Sequence, residues 1–361
     1  MLRLGIIGCG GIAAAHGKAA QQIKDLRFVA ACDVRRAAAA DWAATYGAEA
    51  VYDDYREMLK AEALDGVLLA TWPNQHREQI EVCLAAGIRN ILCEKALTMT
   101  GAQAGEIWHL ACRSGALVME GFMYRHHPAI RRLEQMIFAG EIGRVDNIRA
   151  EFGWDNGPLE MDAPPALEKR NWRLRSDCGG GVPFDAACYA VNAAGHFARA
   201  CPSRVYATGT MSKSLGVIMR LFGLIEYRNG VTGIISSSHG QQFSQELQVE
   251  GTRGHLFVPV AWTIAGEGTV EHRCAPTWGQ VAATRHNVPA TDSYAAQLRN
   301  FAAAARKEAA PLVPLVESVV NTHVIAALIE SQRTRQPVDV ELPPEIAAAY
   351  DATLQEALCA Q

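Results

Sequence analysis

Residues 2–7 (LRLGII) form a short apolar run that stops at Gly8-Cys9-Gly10-Gly11-Ile12-Ala13, after which an alanine-rich stretch leads to Lys24. Between a predicted strand and a predicted helix, the spacing Gly-x-Gly-x-x-Ala has a physical meaning. Gly8 permits the tight turn, Gly10 lets the backbone approach a pyrophosphate, and the small Ala13 allows close helix–strand packing. Gly11 and Ile12 open the helix, whose free amides and positive dipole end then face the phosphates. A plain glycine-rich strand-to-helix turn is the alternative that the glycines alone leave open.

The surrounding pattern favours the first reading. Apolar runs at 27–33, 66–71, 90–94 and 117–121 follow the first one, and helix-forming stretches at 12–24, 35–46, 75–86 and 100–114 lie between. Such alternation predicts parallel strands with helical crossovers, a Rossmann-type doubly wound sheet over residues 1–122. After residue 145 the pattern changes. Strand-like runs at 145–152, 204–210, 217–228, 231–238, 246–250 and 255–258 are joined by turns such as Arg228-Asn229-Gly230. These predict an α+β domain over 123–340 with a large open, mainly antiparallel sheet, then a C-terminal helix over 341–361 packing back on the body. Two domains also suit a length of 361 residues. An open sheet face in such a domain is commonly covered by another subunit, which predicts a homodimer or homotetramer through that sheet.

Composition narrows the classes of function. With 49% hydrophobic and 20% charged residues and a net charge of −4, the chain has no basic stripe of the kind nucleic acid requires. No stretch approaches the roughly 20 apolar residues of a membrane span, and the glycine-broken N-terminus is no secretory segment. The ten cysteines never form Cys-x-x-Cys, and His126-His127 lacks metal spacing, so no metal site is expected. The cysteines read as reduced thiols of a cytoplasmic protein.

Asp33 ends the second strand, where a carboxylate can accept hydrogen bonds from the adenine-ribose hydroxyls. An acid there repels a 2′-phosphate and favours NAD, whereas Arg35 and Arg36 stand close enough to accept NADP. Asp33 can also serve as an N-cap for the helix beginning near Arg35. Glu94-Lys95 ends the fifth strand, beyond whose carboxyl end ligands of open α/β sheets bind. Lys95 would face the nicotinamide there, or else be a solvated strand-end lysine. Downstream, Gly179-Gly180-Gly181 precedes a segment in which Asp185, Tyr189 and Asn192 share one face if it is helical. Three polar groups on an apolar helix need partners, and a hydroxylated substrate is one candidate; a core tyrosine with a satisfied hydroxyl is another.

Together these residues resemble the glucose–fructose oxidoreductase / inositol dehydrogenase / MocA (Gfo/Idh/MocA) family, over essentially the whole chain. Glu94-Lys95 matches the family's Glu-Lys-Pro element, with Ala96 in place of proline. Asp185-x-x-x-Tyr189 matches its Asp-x-Gly-x-His motif in the tyrosine variant, with Ala187 in place of glycine. Thr71-Trp72-Pro73-Asn74-Gln75-His76 stands for a Thr-Pro-Asn-x-x-His pattern into which Trp72 intrudes, and implies Thr71, Trp72 and His76 as cofactor-loop residues. The tyrosine variant, Met123-Tyr124-Arg125-His126-His127-Pro128 and Asn171-Trp172-Arg173 resemble the glucose–fructose oxidoreductase, dihydrodiol dehydrogenase and xylose dehydrogenase branch.

The resemblance implies an NAD(P)-dependent enzyme that transfers hydride between the nicotinamide and a hydroxyl or carbonyl carbon of a sugar, polyol or inositol-like substrate. Tyr189 would be the general acid/base, Lys95 its electrostatic partner and Asp185 a second hydroxyl ligand, with Lys95 and Tyr189 able to exchange the base role. Arg125, Trp154, Trp172 and Arg173 are further candidates for lining a sugar pocket, each equally open to a packing role. Alternatives are an enzyme whose bound nicotinamide is recycled between two sugars or in a redox-assisted glycosidase, and a non-catalytic sensor on the same fold.

Overall fold

The continuous apolar runs near the N-terminus become fully buried parallel strands, because a sheet covered by helices on both faces leaves no position for a polar side chain. In the computed structural model, which describes residues 1–155, 171–275 and 280–359, they are β1 (Leu2–Ile7), β2 (Leu26–Cys32), β3 (Ala50–Tyr52), β4 (Gly66–Leu69), β5 (Asn90–Cys93) and β6 (Leu117–Glu120), in the order β3-β2-β1-β4-β5-β6. Helices α1 (Gly11–Ala20), α2 (Arg36–Tyr46), α3 (Tyr55–Ala61), α4 (Pro73–Ala85) and α5 (Gly101–Ser114) make the crossovers. Leu4, Ile6, Leu68, Leu69 and Ile91 lose all solvent contact, each burial being worth roughly 1.5–3 kcal/mol. Strand β3 and helix α3 were not legible in the sequence. Three half-buried residues at a sheet edge are too few to show a period, although Asp54 caps α3 by accepting a hydrogen bond from the Arg56 amide at 2.8 Å.

The division into two units departs from the contiguous boundaries expected. The first unit is Met1–Thr98 and Ala102–His126 together with Asp292–Leu315, and the second is Met99–Gly101, His127–Thr291 and Val316–Gln361. The later segment joins the first unit because α8 (Ser293–Ala305) packs on α1. Polar contacts secure it: Gln22 donates to Asp292 at 2.7 Å, Arg306 pairs with Asp25 at 2.9 Å, and buried Arg125 donates from Nη2 to the Leu312 carbonyl at 2.9 Å. No local pattern announces such a return.

In the second unit a ten-stranded sheet runs β15-β14-β13-β12-β7-β10-β9-β8-β16, with β11 beside β7. Its strands are β7 (Val145–Asp155), β8 (Pro202–Ser212), β9 (Val217–Tyr227), β10 (Thr232–Ser238), β11 (Gly240–Ser244), β12 (Leu247–Gly251), β13 (Gly254–Val258), β14 (Gly268–Cys274), β15 (Ala282–Val288) and β16 (Val338–Asp339). All neighbours are antiparallel except β7 and β10. Helix α7 (Cys188–Ala198) covers one face over β7 and β10, and its small residues allow that approach: a Cβ on Gly233 would lie 3.1 Å from that of Ala194. On the other face Tyr206, Phe222 and Leu224 are each more than 40% exposed. Strands β14 and β15 escaped the sequence reading because β15 is exposed and polar and lacks apolar alternation. After the long helix α9 (Leu315–Thr334), the C-terminal helix α10 (Pro344–Cys359) packs within this unit, its Tyr350 hydroxyl donating to the Gly195 carbonyl at 3.4 Å; residues 360 and 361 lie outside the described residues. Among the described residues no helix is long and apolar enough to cross a membrane.

Helix α6 (Pro128–Phe138) begins with an uncommon cap. His127 Nδ1 accepts a hydrogen bond from the Ala129 amide at 3.1 Å, a role open only to the neutral ring. Burial lowers its pKa from 6.5 to about 4. A histidine depressed on folding contributes stability that is whole above its unfolded pKa and disappears as the pH falls through the folded one. We therefore expect the melting temperature to drop between pH 6.5 and about 4, and His127→Asn, which caps without titrating, to flatten the drop in a pH series of thermal melts.

Candidate active site

In the first unit β1 lies between β2 and β4, whose crossovers leave on opposite sides, and the glycine-rich turn sits at the carboxyl end of β1. Gly8 has φ +92°, and a Cβ there would lie 2.7 Å from the Ala70 carbonyl oxygen, so this position requires glycine. Gly10 and Gly11 are exposed, and a Cβ on either would meet nothing within 4 Å. Gly10 is the N-cap of α1 and makes no side-chain cap; half-buried Ile12 and fully buried Ala13 set the helix against the sheet. These features fit a dinucleotide pyrophosphate at the helix N-terminus.

Asp33 ties this loop together. Its Oδ2 accepts from the Cys9 amide and its Oδ1 from the Arg35 amide, both at 2.9 Å. The N-cap of α2 is Arg35, which makes no side-chain cap, so Asp33 forms an Asx turn one step before the helix. Arg35 and Arg36 are more than 60% exposed beyond it. Burial pushes the thiols of Cys9 and Cys32 up to about 12, so both are structural.

The Lys95 turn is held by three buried polar side chains from three elements. Glu94 accepts from His16 Nε2 at 2.7 Å and from the Lys95 amide at 3.2 Å. Glu120, at the end of β6, accepts from the Leu97 amide at 2.7 Å. His76 on α4 turns Nδ1 to the carbonyls of Ala96 and Leu97 and Nε2 to that of Thr71, and burial lowers its pKa. The Lys95–Ala96 peptide is cis. His76, expected as a cofactor contact, is wholly buried with both ring nitrogens on main-chain carbonyls, so it positions the loop instead. Thr71 donates to Gln79 at 2.6 Å, and Trp72 is the partly exposed N-cap of α4. His16 and Glu120 were missed by sequence reasoning; His16 is the only histidine among the small residues of α1, a weak signal.

In the second unit Pro183–Ala187 is a π-helical turn that runs directly into α7. Asp185 lies in this wider turn, whereas Tyr189 and Asn192 both lie on α7. Asn192 lines a cavity with Tyr227, Asn321 and Tyr350.

Asp185 is 1% exposed, and its Oδ2 accepts from Arg173 Nε at 2.6 Å and from His239 Nε2 at 3.0 Å. Tyr189 is 5% exposed, with the Phe152 ring edge-on at 5.2 Å and the Trp262 ring at 6.1 Å. Half-exposed Trp154 lies 5.0 Å from the His239 ring, and the Arg173 guanidinium covers the Trp172 ring at 5.1 Å. The structure thus gathers Asp185, Arg173 and Trp154 through a residue the sequence did not flag, His239. Arg125 belongs to the first unit, where it donates to the Leu312 carbonyl. A buried carboxylate held by two donors, near a phenol and indole faces, can bind hydroxyl groups and move a proton.

Comparison with known proteins gives a consistent result. Residues 2–122 match the model of the oxidoreductase family with an NAD-binding Rossmann fold, and residues 130–257 match that of the GFO/IDH/MocA C-terminal domain. D-xylose 1-dehydrogenase (NADP(+)) 2 of Haloferax volcanii is 29% identical over 94% of this chain and 100% of its own length. The trans-1,2-dihydrobenzene-1,2-diol dehydrogenase of Oryctolagus cuniculus is 28% identical over 88% of this chain and 91% of its own. The crystal structure of a 3-ketoreductase from Actinomadura kijaniata, in complex with NADP and TDP-benzene, superposes with a TM-score of 0.81 at 26% identity, covering 91% of this chain and 97% of that one.

Proposed function

This chain belongs to the Gfo/Idh/MocA family of NAD(P)-dependent oxidoreductases, and from that premise we propose that its substrate is a sugar or polyol, oxidised or reduced at a CH–OH carbon. The observation that carries the reading is the Arg173–Asp185–His239 cluster beside Tyr189, with Trp154 at its edge. A fixed carboxylate and a guanidinium suit hydroxyl groups, and an indole face suits the C–H face of a sugar ring.

A bound nicotinamide supplies or accepts the hydride. Tyr189 acts as general acid/base toward the reacting oxygen and Asp185 orients a neighbouring hydroxyl, while Lys95 is the charge-stabilising residue of the cofactor-binding unit. Gly8, Gly10, Gly11 and Ile12 hold the pyrophosphate, and Asp33 keeps the loop in shape for it. His16, Glu120 and His76 aim Lys95 by fixing the turn that carries it. The test is a panel of D-xylose, D-glucose, myo-inositol and trans-1,2-cyclohexanediol, assayed by nicotinamide absorbance with NAD and NADP in parallel. Net formation of reduced cofactor with one member supports the reading; turnover without net reduced cofactor points to a closed redox cycle, and no turnover at all removes it.

Two finer assignments belong to this reading. Both Asp33 oxygens already take protein N–H groups, and the exposed groups beyond them are cationic. NADP is therefore accepted as well as NAD, with Arg35 and Arg36 on the 2′-phosphate. Arg35→Ala with Arg36→Ala should raise KM for NADP about tenfold or more and leave that for NAD within about twofold, since charge-assisted bonds are worth ~1.5–3 kcal/mol. The exposed Tyr206, Phe222 and Leu224 lie on adjacent, paired strands, and we assign this face to a second copy of the chain. Phe222→Asp with Leu224→Asp should lower the sedimentation mass toward a single chain; an unchanged mass would count against that interface.

A further inference from the structure

His239 stands where β10 ends and β11 begins, a position no motif marks. Its amide donates to the Met219 carbonyl on β9 at 3.0 Å, and its ring is fully buried against Trp154. Nε2 meets Asp185 Oδ2 at 3.0 Å, and Nδ1 has no hydrogen-bond partner among the described residues. A carboxylate accepts only, so the neutral ring carries its proton on Nε2. The second donor on the same oxygen differs in kind. Arg173 reaches Asp185 from a short 3-10 turn (Trp172–Leu174), and its side chain is 37% exposed against 0% for His239. Arg173 holds Asp185 through Nε, so its two Nη groups can meet an incoming group without that bond breaking, whereas the buried His239 ring, anchored by its backbone, has only Nε2 on Asp185.

We propose that His239 is a positioning residue for substrate binding: its bond to Asp185 keeps that carboxylate fixed while Arg173 is free to engage the ligand. The inference rests on Asp185 being a hydroxyl ligand, as the function above assigns. It places the effect of His239 on the substrate and not on the cofactor. His239→Phe keeps an aromatic ring against Trp154 and removes the donor, whereas His239→Gln keeps an N–H of similar reach.

The experiment measures kcat, KM and NADPH affinity by fluorescence titration for wild type, His239→Phe, His239→Gln, Asp185→Asn and the double variant His239→Phe/Asp185→Asn. The substrate is the panel member with the highest kcat/KM, and thermal melts check folding. His239→Phe should raise substrate KM about 10–100-fold, the scale of a lost bond to a buried carboxylate, with a smaller fall in kcat and NADPH affinity within about twofold of wild type. His239→Gln should recover most of the KM, and the Phe effect should shrink in the Asp185→Asn background, as residues acting through one another are non-additive. A wild-type KM in His239→Phe, or a Gln variant that folds yet does no better than Phe, overturns the proposal. If His239→Phe does not fold, His239→Met, which also lacks the donor, takes its place: a KM raised about tenfold or more supports the proposal and a wild-type KM overturns it. Should Asp185→Asn itself turn over with a wild-type KM, it is the assignment of the centre that fails. If it is impaired and the His239 variants are not, only the present inference does.

Discussion

Replacing Tyr189 by Phe is expected to lower kcat by about 10²–10⁴-fold, the usual contribution of a positioned acid/base, while the melting temperature and NAD(P)H affinity stay close to wild type. The ring is what packs against Phe152 and Trp262, and Phe preserves it; the loss falls on the hydroxyl. Lys95→Ala should be similarly damaging to kcat. Its backbone turn is fixed by Glu94, Glu120 and His76, so the fold should survive. Steady-state kinetics with fluorescence titration of NADPH would check both. Near-normal turnover in either variant removes that residue from the chemistry.

The second large effect separates two glycines that a motif treats alike. At Gly10 a methyl group meets no protein atom within 4 Å, so Gly10→Ala should fold normally. That methyl nonetheless stands before the N-terminus of α1, where the pyrophosphate approaches. NAD(P)H affinity should therefore fall at least about tenfold at unchanged melting temperature, with a steeper loss for Gly10→Val. Gly8→Val should instead destabilise the unit itself. Its φ of +92° and the 2.7 Å approach to the Ala70 oxygen leave no room for a Cβ, and left-handed backbone alone costs roughly 1–2 kcal/mol in an L-residue. Thermal melts paired with cofactor titration distinguish the two cases. A Gly10→Ala protein that binds NADPH as tightly as wild type would mean that the dinucleotide does not lie against this turn.

The parallel sheet, its glycine turn and the lysine at the end of β5 were legible because each is encoded by neighbours in sequence. Apolar runs of strand length announce buried strands, and glycine spacing announces a turn that other residues cannot make. The polar strand β15 and the three-residue β3 carried no such signal. Asp185 and Tyr189 were singled out by their motif. The π-helical turn that carries Asp185 was not legible, because it is invisible to a 3.6-residue period.

What holds the site was decided elsewhere. His16 reaches Glu94 across 78 positions of chain, and His239 reaches Asp185 across 54. A buried carboxylate must find donors wherever the packed chain brings them, so nothing beside Glu94 or Asp185 in sequence says which histidine that will be. Sequence alone determined which chemical groups this protein owns and the turn that receives a dinucleotide. The tertiary structure decided which of those groups are clamped and by what, since long-range packing, not local propensity, selects the partner of a buried charge.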